Sequence, residues 1–197
     1  MKTKRTHFQI SLNLVLLIIF SNFGYAQFFI ETNIGLNGAL DPRIYNTGHT
    51  GFGAGYMYEG LIGLKLDYAK DNFSNDIGSS NSKRADMQLI ANLSNAFFDK
   101  SYYDPFALLV HAGMGISNLR PSSANTSDTN INFMMGITPK YRIIGDLDIT
   151  ADASLIMNAN QNYNFDGSPT YQNLAVPQTG FLFNLSLGLL YTFHNYR

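Results

Sequence analysis

The stretch GFLFNLSLGLLYTF, Gly180 to Phe193, decides the fold. Every second residue from Phe181 onward is a large apolar or aromatic one, and several of the residues between them, such as Asn184 and Ser186, are small and polar. Strict alternation is typical of a β-strand with two unlike faces, because successive side chains of a strand point to opposite sides. The fold therefore depends on whether the apolar face meets a protein core or lipid.

The composition favours lipid. Only 14% of the 197 residues are charged, where about 25% is usual in soluble domains. The chain contains no Cys, so disulfides and a lipid-modified cysteine anchor are excluded. A chain so poor in charge is expected to expose much of its surface to something other than water.

Residues 1–26 are predicted to form a cleaved secretory signal peptide. A basic start precedes the apolar run Ile10–Phe20, and Gly24 and Ala26 occupy the −3 and −1 positions of a cleavage site. An uncleaved N-terminal anchor is the alternative, although Asn13 interrupts the run. Without residues 1–26 the chain has 10 basic and 14 acidic residues, a balance that gives no reason to expect a nucleic acid partner.

Eight segments with period-2 alternation follow the signal peptide. They are residues 28–37, 51–59, 61–69, 84–94, 107–117, 131–141, 147–155 and 180–193. The connections are long at 38–50, 70–82, 118–129 and 157–178, short at 59–61 and 143–146, and intermediate at 95–105. An even number of strands with short turns at one end and long loops at the other is the plan of outer membrane barrels. This plan places both chain ends on the periplasmic side.

The two faces of these segments decide between a soluble sandwich and a membrane barrel. A sandwich would show water a face rich in Lys, Glu and Thr, whereas the polar face here is mostly Gly, Asn, Ser, Ala and Thr, which fit the crowded interior of an eight-stranded barrel. Near the segment ends, aromatic residues suit a membrane interface: Tyr56, Tyr58, Tyr68, Tyr141, Tyr191 and Phe193. We predict that residues 27–197 form an all-β, eight-stranded antiparallel up-and-down transmembrane β-barrel.

Four stretches carry a family resemblance. They are LLVHAGMGIS (108–117), MMGITPKYRI (134–143), LDITADASLIMNANQNYNFDG (147–167) and SLGLLYTF (186–193). The chain resembles the N-terminal barrel of OmpA-like outer membrane proteins of Bacteroidota across residues 27–197. The resemblance implies a porin-like barrel in a Gram-negative outer membrane. Many members continue into a peptidoglycan-binding domain, which has no counterpart in these 197 residues, so no tethering role is expected. The ending HNYR also departs from the aromatic last residue of the family.

Charged residues on the polar face are predicted to lie in the lumen. They are Glu31, Glu59, Lys65, Asp67, Arg84, Asp86, Lys140, Arg142, Asp148 and Asp152. Charges removed from water persist when they are paired, so the mixed signs predict a salt-bridge network that plugs the barrel. The alternative is a gated pore whose ion pairs exchange partners.

The sequence predicts no catalytic, cofactor or metal site. His49 in the first connection, His111 in the fifth segment and His194 near the end belong to no Ser/His/Asp arrangement that would activate a nucleophile. The connections also contain oxygen-bearing side chains that could bind calcium: Asp71, Asn75, Asp76 and Asp166. Their spacing does not match a calcium loop, so they are interpreted as solvated turn residues.

The last long connection offers candidate contact residues for a surface ligand, Tyr163, Phe165 and Tyr171, because loops on a rigid scaffold often carry recognition. The predicted function is that of a non-enzymatic outer membrane barrel with a structural, envelope-integrity role or a surface-interaction role through long extracellular loops. The alternatives are an accessory subunit of a larger secretion or uptake complex, a small pore, and a lipid-modifying enzyme. Expected partners are outer membrane lipids and other outer membrane or periplasmic proteins.

Overall fold

The computed structural model of the chain describes residues 26–97, 105–170 and 178–193, most of which lie in eight long strands. The strands are β1 (Ala26–Ala39), β2 (Ile44–Tyr58), β3 (Ile62–Ser74), β4 (Ser79–Asn92), β5 (Phe106–Pro121), β6 (Asp128–Ile144), β7 (Leu147–Gln161) and β8 (Gln178–Phe193). One short helix, α1 (Leu93–Phe97), follows β4. No helix within these ranges is long and apolar enough to cross a membrane. Apart from Ala26, the predicted signal peptide lies outside the described residues.

The eight strands form a closed antiparallel barrel. Each strand pairs with its neighbour in sequence, and β1 pairs with β8 from Phe28 opposite Phe193 to Ala39 opposite Leu182. The predicted eight-stranded up-and-down topology is therefore confirmed. Both β1 and β8 have their outer chain ends at the same end of the barrel, which we call the terminal end; the opposite end is called the far end.

The outward face of the barrel is the apolar one. Leu66, Leu89 and Leu187 each expose more than 60% of their surface there. Such exposure would be unfavourable in water, because moving apolar surface out of water lowers the free energy. On β5 the apolar outward series runs from Phe106 to Ile116. At the usual strand rise and a tilt of about 40°, these ten residue steps span about 25 Å, the thickness of the apolar band of transmembrane barrels. The apolar face of the barrel therefore meets lipid.

The predicted strand boundaries at the far end were wrong. The strands contain 13 to 17 residues, and they extend into all four segments expected to be long loops, which shortens three of these connections to 40–43, 75–78 and 122–127. Beyond the apolar band the outward residues turn polar, as at Lys70 and Asn72 on β3. Both faces are then polar, so the hydropathy alternation disappears although the hydrogen-bonded ladder continues.

Glu59 was predicted to face the lumen but lies in the β2–β3 turn at the terminal end. Its side chain is exposed, and both Glu59 and Gly60 have a positive φ, of 51° and 66°. The turn reverses the chain within three residues, 59–61, and this tight reversal takes Glu59 out of the strand alternation. Glu59 belongs to none of the ion pairs among the described residues.

Candidate functional site

The candidate site is the lumen, into which alternate residues of every strand point. On β1, β3 and β4 this alternation places charged side chains inside, and they are less than 10% exposed: Glu31, Lys65, Asp67, Asp71, Arg84 and Asp86. The register sets Asp67 directly opposite Asp86. Like charges at such positions repel, so cations are needed between the carboxylates of neighbouring strands.

Arg84 is the cation of a charge cluster in the half of the lumen nearer the far end, which we call the upper cluster. Its Nη1 donates to Asp71 Oδ2 at 2.9 Å and its Nε donates to Asp86 Oδ2 at 3.0 Å. His49 contacts the other oxygen of Asp71, with Nδ1 2.7 Å from Oδ1, and its Nε2 lies 3.0 Å from Asn33 Oδ1. The guanidinium thus bridges two buried carboxylates, and the histidine caps one of them.

Lys65 is the cation of a lower cluster, nearer the terminal end. Its Nζ lies 3.2 Å from Glu31 Oε2 and 3.6 Å from Asp67 Oδ1. Lys65 and both carboxylates are less than 10% exposed. Because buried charges are stable only when they are paired, the ammonium group and the two carboxylates depend on one another.

Asp152 gathers three donors beside this lower cluster. His111 Nε2 lies 2.9 Å from Asp152 Oδ2, the Thr138 hydroxyl donates to the same oxygen at 2.7 Å, and the Ser154 hydroxyl donates to Oδ1. At the terminal end of the lumen, Lys140 Nζ lies 2.7 Å from Asp148 Oδ2. Arg142 Nε lies 3.9 Å from the other oxygen of Asp148. Nine of the ten predicted network residues therefore occupy the lumen, and Glu59 is the exception.

Both lumen histidines contact a carboxylate, as the histidine of a Ser/His enzyme would. The hydrogen-bonded groups around His111, however, do not follow the serine–histidine–acid order of such an enzyme. In a nucleophile triad the histidine stands between the serine and the acid, whereas Asp152 stands between Ser154 and His111. No hydrogen bond joins His111 or His49 to a serine hydroxyl within the described residues. The carboxylate partners thus orient both imidazoles.

An apolar cluster seals the lumen at the far end. Its members are Ala39, Ile44, Phe73, Leu119, Met134, Ile156, Phe165 and Leu182. Phe165 comes from the β7–β8 connection, and its ring centre lies 4.9 Å from that of Phe73. Both rings are at most 1% exposed. Buried apolar side chains therefore occupy the lumen at this end.

Phe165 was wrongly predicted as a surface contact, because its ring turns into the barrel rather than outward. Tyr163 is partly exposed and packs against the same apolar cluster. Tyr171 lies outside the described residues. An aromatic residue in a polar connection gives the same sequence signal whether it closes the barrel or faces a partner.

A second apolar ring narrows the lumen near the terminal end. It consists of Phe29, Met57, Ile90, Leu109 and Leu190. A cavity of about 200 Å³ lies within this ring and reaches Lys65, His111 and Lys140. This volume is below the 300–1,000 Å³ that is usual for small-molecule sites, so the cavity does not argue for an organic ligand.

Three of the four oxygen-bearing residues considered for calcium have other roles. Asp71 is committed to Arg84 and His49 in the lumen, as described above. Asn75 Oδ1 accepts hydrogen bonds from the backbone of Ile77 and Gly78 and so closes the β3–β4 turn. Asp166 Oδ1 accepts both the amide and the hydroxyl of Ser168. Residues 26–97, 105–170 and 178–193 contain no group of three or more His, Asp or Glu that could hold a metal ion.

Solved structures share the closed ring of eight strands. Neisserial surface protein A superposes with a TM-score of 0.56 over 85% of this chain and 97% of that chain, at 10% identity. The fold is that of an outer membrane β-barrel. A major outer membrane protein from Thermus thermophilus covers 85% and 99% at 13% identity, with a TM-score of 0.47. The N-terminal β-barrel domain of Pseudomonas aeruginosa OprF covers 85% and 97% at 16% identity, with a TM-score of 0.45. No family model and no curated protein matches the chain.

Proposed function

We propose that this chain is a non-enzymatic barrel of the Gram-negative outer membrane that stabilises the envelope. The observation that carries the proposal is the filled lumen: an apolar cluster seals its far end, and buried ion pairs occupy its middle. A barrel of this kind offers the cell a rigid, lipid-facing wall rather than a passage. The far end faces the cell exterior in this proposal, and residues 1–26 direct export as a cleaved signal peptide.

A surface-interaction role depends on fewer residues than the sequence predicted. Three of the four far-end connections are too short to project from the barrel, and Phe165 faces inward. Of the three predicted contact residues, Tyr163 is the one that the structure describes as partly exposed. Membership in the OmpA-like family of Bacteroidota stays a prediction from the sequence resemblance.

Loss of the protein is expected to make cells more sensitive to detergents and to large apolar antibiotics. The reason is that a barrel that stabilises the outer membrane helps this membrane to exclude such compounds. Growth assays on a deletion strain would measure this sensitivity. Complementation with the wild type, His49→Gln or His111→Gln should restore resistance equally. Failure of only the histidine variants, when they are folded and abundant, would favour an enzyme instead.

Extraction of the native protein in mild detergent separates the stand-alone role from the accessory-subunit role. The extract would be sized, and co-migrating proteins would be identified by mass spectrometry. A species of one chain plus detergent is expected. A large, reproducible assembly would contradict the stand-alone proposal and make the partner the clue to function.

Planar bilayer recordings are expected to show no steady conductance for the wild type, because Phe165 and its neighbours close the far end while the Lys65 ion pairs fill the middle. Lys65→Ala, which removes a lumen cation, is compared with Lys70→Ala, which removes an outward one. A steady wild-type conductance that changes with Lys65→Ala but not with Lys70→Ala would show that the lumen is a pore.

A further inference from the structure

Three cations cluster on the outward face of β3, β4 and β5 near the far end. Lys70 on β3 lies directly opposite Lys83 on β4, and Arg120 on β5 lies opposite Asn81, two residues beyond Lys83. All three cationic side chains are exposed. We call Lys70, Lys83 and Arg120 the basic patch.

The basic patch carries an uncompensated charge. Directly opposite side chains on antiparallel strands have Cβ atoms about 4.5–5.5 Å apart, and like charges there are destabilising. Each lumen cation has a carboxylate partner, whereas none of the ion pairs among the described residues includes Lys70, Lys83 or Arg120. The carboxylates of β3 and β4 point the other way, into the lumen.

Amide and hydroxyl groups surround the three cations. Asn81 donates a hydrogen bond to Asn72, its opposite residue on β3. Asn118, opposite Lys83, donates to Thr129 Oγ1 at 3.0 Å. The patch thus combines positive charge with polar side chains already ordered on a rigid sheet.

The basic patch lies just beyond the apolar band of the barrel. Lys70 is the next outward residue after Tyr68, and Lys83 is the next after Ala85. On β5, Asn118 and then Arg120 follow Ile116, the last residue of the apolar outward series. The cations therefore begin where the apolar band ends, at the level of lipid headgroups. Basic residues at such a boundary attract anionic headgroups.

We propose that the basic patch binds the phosphate groups of a phosphorylated outer-leaflet lipid. A phosphate bound between Lys70 and Lys83 neutralises their mutual repulsion. The planar guanidinium of Arg120 can bind two oxygens of a second phosphate group at once. The proposal deepens the envelope role and rests on it for the placement of the far end in the outer leaflet. The barrel then stabilises the envelope by holding a headgroup as well as by spanning the membrane.

Lipid binding would be measured on the folded full-length mature chain in a zwitterionic detergent at low salt. The probes are diphosphorylated lipid A and the same lipid after removal of its phosphates, and native mass spectrometry counts the bound molecules. Wild type is expected to prefer the phosphorylated lipid. Lys70→Gln/Lys83→Gln should bind it roughly thirtyfold more weakly, whereas Lys70→Arg/Lys83→Arg should retain binding. Arg43→Gln, which removes an exposed cation of the β1–β2 turn, should have no effect.

Melting temperature supplies a second readout, because the difference between Lys83→Gln and wild type should change sign when the phosphorylated lipid is added. Without lipid, Lys83→Gln should melt at a higher temperature than wild type, since the repulsion with Lys70 is gone. With the phosphorylated lipid the order should reverse, because the variant gains less from binding. A melting temperature of Lys83→Gln at or below that of wild type without lipid would remove the argument from repulsion.

Two kinds of binding result would overturn the proposal. The first is equal binding of both probes by wild type, or equal binding of the phosphorylated probe by wild type and Lys70→Gln/Lys83→Gln. The second is binding of a soluble sulfated polysaccharide together with no preference for phosphorylated lipid, which would assign the patch to external glycans. A deletion strain with an intact barrier would reject the envelope role but would leave these binding results as they are.

Discussion

Arg84→Ala is expected to lower the free energy of unfolding of the barrel by about 3–5 kcal/mol, the usual cost of removing one partner from a buried ion pair. Arg84 is 3% exposed and contacts both Asp71 and Asp86. Without the guanidinium, two buried carboxylates lose their cation, and Asp67 lies directly opposite Asp86. Arg84→Lys keeps the charge but replaces the planar fork by a point charge, so an intermediate loss is expected.

Urea unfolding in phospholipid vesicles would measure this loss, with circular dichroism as the signal because the chain contains no Trp. Arg43→Ala is the matched control: it removes an exposed arginine of the β1–β2 turn and should change the free energy by no more than about 0.5 kcal/mol. If Arg84→Ala changed stability as little as Arg43→Ala, the upper cluster would not hold the barrel together.

Lys65→Met is expected to destabilise the barrel by a similar amount, again about 3–5 kcal/mol, because Glu31 and Asp67 would remain charged and buried without their shared cation. The methionine retains most of the packing volume of the lysine stem. The triple variant Lys65→Met/Glu31→Gln/Asp67→Asn should recover most of the loss, since neutral groups of similar shape need no counter-charge.

The same urea titration compares wild type with the single and triple variants, and Arg43→Met, at an exposed position of the β1–β2 turn, serves as the control. Recovery in the triple variant would show that pairing, rather than packing, makes Lys65 necessary. A triple variant as unstable as Lys65→Met would contradict this, and would mean that the lysine acts through its stem or through other lumen contacts.

The strand count, topology and face assignment could be predicted because lipid imposes a simple rule on the outward residues of the apolar band. The lengths of the strands could not. Above the band the outward positions of β3 hold Lys70 and Asn72, and a stretch with polar residues on both faces looks like a loop. Backbone hydrogen bonds continue there regardless of hydropathy, so β3 extends to Ser74.

The same loss of hydropathy alternation concealed two lumen residues from the sequence analysis. His49 and Asp71 were assigned to loops, yet they lie opposite each other on β2 and β3 and complete the cluster around Arg84. Their side chains were visible in the sequence, but their pairing depends on register across strands. A continued period-2 count beyond residue 69 would have placed Asp71 on the same face as Asp67, which was the available signal.

The closure of the ring by β1 and β8 has a consequence for how the barrel folds. Every other pairing joins strands that are neighbours in sequence, and such hairpins close short loops at low entropic cost. The last ladder instead joins Phe28 to Phe193, so one edge of β1 has no partner until the final strand arrives. An open edge in lipid leaves backbone amides and carbonyls unsatisfied. Assembly of this chain must therefore shield the first strand throughout the time that the other seven are being laid down.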